Sequence, residues 1–293
     1  MTSFWPQIPD MKKIQIDDME LSVWQDGQGP PLLFVHGFPL DHTMWNQQIE
    51  EFSKDYHVIA PDLRGFGASG LGSEPVSMAR LADDLAVMLS ELQVTRPVVF
   101  CGLSMGGYIA WQFWARHSDR LDKLILCDTR AAADSATAAQ GRRETAMRIL
   151  SEGAGELIEG MLPKLFANAT DSAHATDNTN ATDNTNATDN SVPKLVQATR
   201  RVMESTSPRT VAAALLAMAA RPNIEPRLAE ISVSTLLLCG EHDLITPVDE
   251  MQQVAAAMPH AQFEEISGAG HMAPMEQPAA VNRAIREFLE RHA

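Results

Sequence analysis

The feature that most constrains the fold is an alternation of short apolar runs with longer amphipathic stretches. A wholly apolar run such as residues 31–35 (PLLFV) is typical of a strand buried on both faces. Residues 77–93 instead gather their leucines on one helical face. The pattern predicts strands at residues 11–16, 19–25, 31–35, 56–60, 98–101, 121–127, 235–239 and 262–266, and helices at residues 42–54, 77–93, 105–117, 249–258 and 279–291. Alternation of this kind predicts an α/β fold with a mostly parallel sheet and helices on both faces.

Residues 131–221 interrupt this alternation. They are rich in alanine and show no convincing strand. Their larger apolar residues suggest helices that pack over an apolar surface: Met147, Ile149, Leu150, Leu157, Met161, Leu162 and Leu165. We interpret them as a helical cap inserted into a core formed by residues 1–130 and 222–293, the alternative being an ordinary helical excursion of the core. Within the cap, residues 175–190 repeat the hexamer ATDNTN. So polar a repeat cannot bury an apolar face, and it predicts a solvated insertion.

Charge and composition exclude several classes of partner. The formal net charge of −15 disfavours binding to a phosphate backbone, so no nucleic-acid partner is expected. No apolar run is long enough to span a bilayer, and the first residues lack the features of a signal peptide, so no membrane partner is expected. Three cysteines, Cys101, Cys127 and Cys239, are predicted to be buried free thiols, which suits a cytoplasmic protein. The oligomeric state stays open.

The strongest chemical signal is Gly-Leu-Ser-Met-Gly around Ser104. It lies between an apolar strand pattern and a helical pattern, which is the context that gives Gly-x-Ser-x-Gly its meaning. The flanking glycines Gly102 and Gly106 allow a sharp turn in which strand and helix approach closely. Ser104 would then stand at a helix N-terminus, exposed to substrate. We predict that Ser104 is a nucleophile.

A serine nucleophile needs a base and a carboxylate that orients the base. His271, in the loop after the strand at 262–266, is the histidine with the expected setting. Asp243 follows the preceding strand, and the order Ser, Asp, His is that of one class of hydrolases. Asp128, at the end of residues 121–127, is the main alternative acid. Glu241 and Asp249 are weaker alternatives, the first too close to its strand and the second expected at a helix N-cap.

Backbone N–H groups should stabilise the oxyanion that forms when a serine attacks a carbonyl. The residue after the nucleophile, Met105, supplies one donor. The loop after residues 31–35 supplies the other, and Phe38 is the natural candidate because Pro39 has no N–H. His36 in the same loop is interpreted as a structural brace. Nothing in the sequence indicates a zinc-binding or phosphate-binding motif, so neither a metal nor a cofactor is expected.

Five segments together resemble the α/β-hydrolase superfamily: HGFPLDHTMW, PDLRGFGAS, GLSMGGYIA, GEHDLITP and GAGHMAPMEQP. The chain is similar to small capped serine esterases and 3-oxoadipate enol-lactonases, and more loosely to cofactor-free haloperoxidases. The resemblance implies an eight-stranded sheet and a helical lid. It also implies a triad of Ser104, Asp243 and His271, with Phe38 and Met105 as oxyanion donors.

The predicted activity is hydrolysis of a small-molecule carboxylic ester or lactone through an acyl-enzyme. Perhydrolysis, or binding of a small molecule without turnover, are the alternatives on this fold. Epoxide hydrolases use an aspartate nucleophile and cap tyrosines, whereas this chain has Ser104 and no cap tyrosine. Three arginines, Arg130, Arg142 and Arg143, could meet a substrate carboxylate, although we prefer to interpret them as ordinary surface arginines.

Overall fold

The computed structural model describes residues 11–73, 75–167 and 191–292. The ATDNTN tract therefore lies outside the described residues. An eight-stranded sheet forms the centre of the fold, in the order β1-β2-β4-β3-β5-β6-β7-β8. The strands are β1 (Lys12–Ile16), β2 (Met19–Asp26), β3 (Pro31–Val35), β4 (His57–Pro61), β5 (Val98–Leu103), β6 (Leu121–Cys127), β7 (Thr235–Gly240) and β8 (Ala261–Ile266).

Pairing within the sheet confirms the mostly parallel arrangement. β1 and β2 form an antiparallel hairpin whose turn is Asp17-Asp18, and β2 also pairs antiparallel with β4. Every other pair, from β4–β3 through to β7–β8, is parallel. The carboxyl ends of β3, β5, β6, β7 and β8 consequently meet at one edge of the sheet, which is where an α/β fold places its chemistry.

Alternate side chains of the buried strands enter two separate apolar clusters, one on each face. Leu33 and Phe100 belong to the first cluster, and Leu32 and Val99 to the second. The helices that cover them are α1 (Asn46–Phe52), α2 (Met78–Glu91), α3 (Met105–Arg116), α4 (Ala136–Glu152), α5 (Gly155–Leu165), α6 (Ser191–Ser205), α7 (Pro208–Ala219), α8 (Val248–Ala256), α9 (Ala273–Glu276) and α10 (Pro278–Arg291). Short 3₁₀ turns occur at His42–Trp45, Ser118–Arg120 and Glu225–Glu230. Among the described helices, none combines the length and the apolar content needed to cross a bilayer.

The described part of residues 131–221 contains α4, α5, α6 and α7 and no strand; we call residues 131–167 and 191–221 the helical segment. Its two ends are held together at one point. Arg221 forms a buried ion pair with Asp134 at 2.7 Å, and Ile224 N–H donates to Ala131 O at 2.9 Å. The helical segment therefore leaves and re-enters the sheet domain at neighbouring positions.

Two expectations about side chains have different outcomes. Met147 and Leu150 were expected to pack against an apolar surface, but both are mostly exposed, at 66% and 52%. That expectation was wrong for these two residues because α4 turns Ala146 and Ile149 inward, whereas Ile149, Leu162 and Leu165 are buried as expected. Cys101, Cys127 and Cys239 are buried free thiols, as predicted.

Candidate active site

Ser104 occupies a sharp turn between β5 and α3. Its backbone has φ 53° and ψ −109°, in the left-handed region that a serine rarely adopts. The turn requires glycine on both sides. A Cβ on Gly102 would lie 2.6 Å from the carbonyl carbon of Gly106, and a Cβ on Gly106 would lie 2.3 Å from Val35 O. The Gly-x-Ser-x-Gly pattern thus has a steric origin, because any larger side chain would push strand and helix apart.

Neighbouring strand ends fix the backbone of Ser104 in this conformation. Its N–H donates to Cys127 O at 2.9 Å, and its carbonyl accepts from Thr129 Oγ1 at 2.7 Å. The side chain of Ser104 is half-buried, so the hydroxyl stands on a rigid turn beside accessible space. A side chain held in this way does not have to be ordered when a ligand arrives.

His271 and Asp243 form a buried pair at the same edge of the sheet. His271 follows β8 and Asp243 follows β7, and Nδ1 of the imidazole lies 2.8 Å from Oδ2 of the carboxylate. His271 is only 3% exposed. Because a carboxylate only accepts, the proton of the pair belongs on Nδ1, which leaves Nε2 as a base.

Two residues beside Asp243 hold the carboxylate in place. Oδ1 accepts from the N–H groups of Ile245 at 2.7 Å and Thr246 at 3.0 Å. Oδ2 accepts from Thr246 Oγ1 in addition to His271. Burial pushes the pKa of Asp243 upward, but the bonds from His271 and Thr246 outweigh it and hold that pKa below its ordinary value. Asp243 is therefore an oriented anion.

Thr246 is a site residue that the sequence interpretation missed. Its hydroxyl also lies 3.4 Å from His271 Nδ1, so it contacts both members of the pair. The signal was present in the sequence as Asp-x-x-Thr. An aspartate that accepts backbone N–H groups two and three residues later forms a local turn, and threonine is a natural third partner.

Asp128, the alternative acid, has a different environment. It is fully buried, and its Oδ1 accepts from Gly240 N–H at 2.8 Å. Within the described residues its Oδ2 has no hydrogen-bond partner, and no bond joins it to His271. Burial and the neighbouring Asp243 carboxylate raise the pKa of Asp128 well above its usual value. The geometry therefore favours Asp243 as the partner of the imidazole.

The two weaker alternatives lie outside the pair. Glu241 is exposed and accepts from Gly268 N–H at 2.9 Å. Asp249 was expected at the N-cap of a helix, but α8 begins at Val248 with Pro247 at the N-cap, so Asp249 lies in the first turn. That expectation was wrong because Pro247 already sets the chain direction there, and Asp249 complements the helix dipole instead.

The loop after β3 lies directly against the Ser104 turn. A Cβ on Gly37 would be 3.6 Å from Ser104 Cβ, so Phe38 is bonded directly to a residue that contacts Ser104. The N–H of Gly37 donates to Met44 Sδ at 3.3 Å. By contrast, the N–H groups of Phe38 and Met105 donate to no protein acceptor in residues 11–73, 75–167 and 191–292. The N–H groups of both predicted oxyanion donors are therefore without a protein acceptor among these residues.

His36 lies beneath this loop and cannot reach solvent. It is fully buried; Nδ1 donates to Gly37 O at 2.9 Å, and Nε2 accepts from Leu63 N–H at 3.0 Å. Burial lowers the pKa of His36, and the acceptor role of Nε2 requires a neutral ring. His36 thus ties the β3 loop to the β4 loop, which is the bracing role expected from the sequence.

Asp62 and His42 form a second buried pair beside the same loop. His42 Nδ1 lies 2.6 Å from Asp62 Oδ1, and Asp62 also accepts from Ala68 N–H at 2.8 Å. Burial opposes the charge on His42, yet Asp62 and Asp41 raise its pKa above the ordinary histidine value. The pKa of Asp62 is lowered, because the bonds from His42 outweigh its burial.

The His42–Asp62 pair should make stability depend on pH. A histidine whose folded pKa is raised stabilises the fold below its unfolded pKa, and this contribution disappears as pH rises through the folded value. The unfolding free energy of His42→Asn should therefore fall short of wild type by more at about pH 5.5 than at about pH 9. Denaturant titrations at both pH values measure the difference.

His57 provides a control with the opposite sign. Burial lowers its pKa, so wild type should lose stability relative to His57→Gln as the pH falls. A His42→Asn deficit that does not change with pH would mean that folding leaves the pKa of His42 at its unfolded value.

One contact of the predicted triad is not formed. Among the hydrogen bonds of the described residues, none joins Ser104 Oγ to His271. Hydrogen bonds of this type are often long without substrate and shorten in the complex. Ser104 and the His271–Asp243 pair nonetheless share the carboxyl edge of the sheet, since β5, β6, β7 and β8 are successive neighbours.

Two of the three arginines that could have met a substrate carboxylate have protein partners. Arg130 Nε lies 3.3 Å from Glu250, and its Nη2 donates to Ile245 O in the Asp243 loop. Arg142 Nε lies 2.7 Å from Asp134. Arg143 is exposed on α4. Arg130 and Arg142 are therefore half-buried, paired arginines rather than ordinary surface arginines, whereas Arg143 fits the preferred interpretation.

Two clusters have the composition of a metal site. One contains Asp41, His42 and Asp62, and the other Asp128, Cys239 and Asp243. In both, the oxygens and nitrogens are largely committed to hydrogen bonds within the protein, for example Asp243 with Thr246. Among the described residues, His42 Nε2 in the first cluster and Asp128 Oδ2 in the second have no hydrogen-bond partner.

Comparison with known protein families gives one match over most of the chain. A family described as "alpha/beta hydrolase fold" matches residues 30–278. The match includes the Ser104 turn, the Asp243 loop and the His271 loop.

Individual relatives span almost the whole chain. The structure of a thermophilic esterase from Thermogutta terrifontis is similar, with a TM-score of 0.86, 41% sequence identity, and coverage of 96% of this chain and 99% of that one. 3-Oxoadipate enol-lactonase 2 of Acinetobacter baylyi is 28% identical over 277 residues, 94% of each chain. Epoxide hydrolase 3 of Xenopus tropicalis is 30% identical over 287 residues, 90% of this chain and 72% of the relative.

Proposed function

The chain belongs to the alpha/beta hydrolase fold family, and from this we propose that it is a serine hydrolase that cleaves small-molecule carboxylic esters or lactones. The observation that carries the proposal is the strained Ser104 turn on the same sheet edge as the 2.8 Å His271–Asp243 pair. The similarity to an esterase and to an enol-lactonase supports the same class of bond.

The proposed reaction passes through an acyl-enzyme. Ser104 Oγ attacks the substrate carbonyl carbon while His271 Nε2 takes the hydroxyl proton. Asp243 stabilises the imidazolium, and the N–H groups of Phe38 and Met105 bind the oxyanion. His271 returns its proton to the leaving oxygen as the carbon–oxygen bond breaks. Water then attacks the acyl group by the same route, which releases the acid and restores Ser104.

The helical segment is proposed to act as the cap over this site. It contacts both loops that carry the chemistry. Thr206 Oγ1 donates to Pro39 O at 3.2 Å beside Phe38, and Leu165 O accepts from Met272 N–H at 3.0 Å beside His271. These contacts support a division into a core of residues 1–130 and 222–293 and a cap of residues 131–221.

Epoxide ring opening is a weaker proposal despite the similarity to an epoxide hydrolase. The nucleophile position holds Ser104 rather than an aspartate. The chain's tyrosines are Tyr56 and Tyr108, the first just before β4 and the second in α3, so the helical segment supplies no phenol to protonate an epoxide oxygen. A carbonyl substrate fits these residues better.

The contacts of the arginines favour an uncharged substrate. Arg130 and Arg142 are already paired with Glu250 and Asp134, so they are poor anchors for a substrate carboxylate. We therefore propose neutral esters or lactones over lactones that carry a carboxylate.

A rapid-mixing assay with p-nitrophenyl acetate tests this function. The proposal expects steady turnover, and higher kcat/KM for neutral esters than for carboxylate-bearing esters of the same acyl length. One equivalent of p-nitrophenol followed by no turnover would instead favour a binding protein. Absence of any reaction across an ester and lactone panel would contradict the proposal.

A further inference from the structure

The helix that follows His271 carries a glutamate with an unusual pair of contacts. Glu276, in α9, accepts from Gly270 N–H at 2.7 Å through Oε1. Its other oxygen, Oε2, accepts from Ala167 N–H at 2.8 Å. Gly270 immediately precedes His271, whereas Ala167 follows α5 in the helical segment. One carboxylate thus joins the histidine loop to a segment more than one hundred residues away, since Ala167 and Glu276 are separated by 109 positions.

The two segments that Glu276 joins lie backbone against backbone. Met272 N–H donates to Leu165 O at 3.0 Å, on the other side of His271. A Cβ on Gly270 would lie 2.7 Å from Ala167 N and 2.9 Å from the carbonyl carbon of Phe166. His271 is therefore held between two contacts with the end of α5, and a small shift of α5 must move the histidine loop with it.

Only a carboxylate can make both Glu276 bonds. Both partners are N–H donors, so both side-chain atoms must accept. A glutamine would accept one bond and turn its NH₂ group toward the other donor. Burial raises the pKa of Glu276 and Asp243 adds to this, while the N–H groups of Ala167, Gly270 and Met272 oppose the shift. The half-buried charge is tolerated because these N–H groups replace water.

We propose that Glu276 is a positioning residue that fastens the His271 loop to the end of α5, so that the helical segment sets the orientation of the imidazole. The inference rests on the proposed role of His271. It implies that docking of the cap and competence of the base are linked through one side chain.

Glu241→Gln is a matched control for Glu276→Gln. Glu241 also accepts an N–H from the histidine loop, that of Gly268 at 2.9 Å, but it is exposed and touches no part of the helical segment among its described hydrogen bonds. With p-nitrophenyl acetate, Glu276→Gln should lower kcat by about 10- to 100-fold, because a misplaced base loses that much rate. KM should change less than kcat. Glu241→Gln should stay within about twofold of wild type.

A readout independent of turnover completes the test. Amide hydrogen exchange should speed up at Gly270 or Ala167 in Glu276→Gln, and the NMR signal of the His271 Nδ1 proton should shift or broaden. Glu241→Gln should change neither. If Glu276→Gln does not fold, Glu276→Asp serves instead, since a side chain one carbon shorter cannot span both donors.

The outcomes separate this inference from the proposed function. Wild type could be active while a folded Glu276 variant shows the same kcat and the same amide exchange as wild type. That result would overturn the positioning role and leave the hydrolase proposal in place. Inactive wild type with altered exchange in Glu276→Gln would count against the hydrolase proposal and leave the tie between the two segments in place. A fall in kcat of equal size in Glu241→Gln would also overturn the inference, because the effect would then not need the helical segment.

Discussion

Replacing Ser104 with alanine should lower kcat for p-nitrophenyl acetate by about 10⁴-fold or more while the protein stays folded. Alanine removes the attacking oxygen, and the remaining oxyanion donors and binding contacts cannot form the acyl-enzyme. Steady-state kinetics and circular dichroism measure both parts of the prediction. Retention of more than a tenth of wild-type turnover would mean that another group is the nucleophile.

Ser104→Gly separates the chemistry from the backbone strain at the same position. Glycine adopts φ 53° without a Cβ penalty. The free energy of unfolding of Ser104→Gly should therefore be about 1 kcal/mol higher than that of Ser104→Ala, although both variants are expected to be inactive. Denaturant unfolding of the two variants gives the comparison. Equal stabilities would show that the turn carries no strain.

Asp243→Asn should lower kcat by about 10⁴-fold, because a neutral amide cannot stabilise the imidazolium of His271. The amide can also turn either its NH₂ group or its oxygen toward Nδ1, so it does not hold the imidazole in the tautomer that is protonated at Nδ1. Asp128→Asn is the matched variant one strand away. Burial and Asp243 raise the pKa of Asp128 and so favour its neutral form, which asparagine resembles in charge and shape. Asparagine can also still accept from Gly240 N–H. Turnover should stay within about tenfold of wild type.

A large loss of kcat in Asp128→Asn together with a small loss in Asp243→Asn would identify Asp128 as the acid. A similar loss in both variants would indicate that the two carboxyls act as a coupled pair. Thermal melting of each variant distinguishes a loss of chemistry from a loss of fold, since Asp128 is fully buried.

Local sequence patterns were sufficient to predict most of the fold. Buried strands such as β3 and β5 are short, uninterrupted apolar runs, and a helix follows each of them along the chain. The candidate site residues were predictable for a related reason. Each one follows a strand, and parallel strands bring their carboxyl ends together at one edge.

Contacts between distant segments could not be predicted from local sequence patterns. Glu276 looks like an ordinary residue of a short helix until Ala167 is placed beside it, and nothing in either local pattern links them. The choice between Asp243 and Asp128 likewise depends on which side chain reaches His271, which strand position alone does not decide. The exposure of Met147 and Leu150 in α4 was not predicted because alanine-rich helices give a weak periodic signal.

The central claim, that Ser104 is the acyl-accepting nucleophile, is tested most directly with a fluorophosphonate. The reagent is incubated with wild type and with Ser104→Ala, and the adduct is located by intact mass and peptide mapping. We expect one adduct per chain on the peptide that contains Ser104, with loss of esterase activity in proportion to labelling and no adduct on Ser104→Ala. An adduct on a different serine, or equal labelling of both proteins, would contradict the claim.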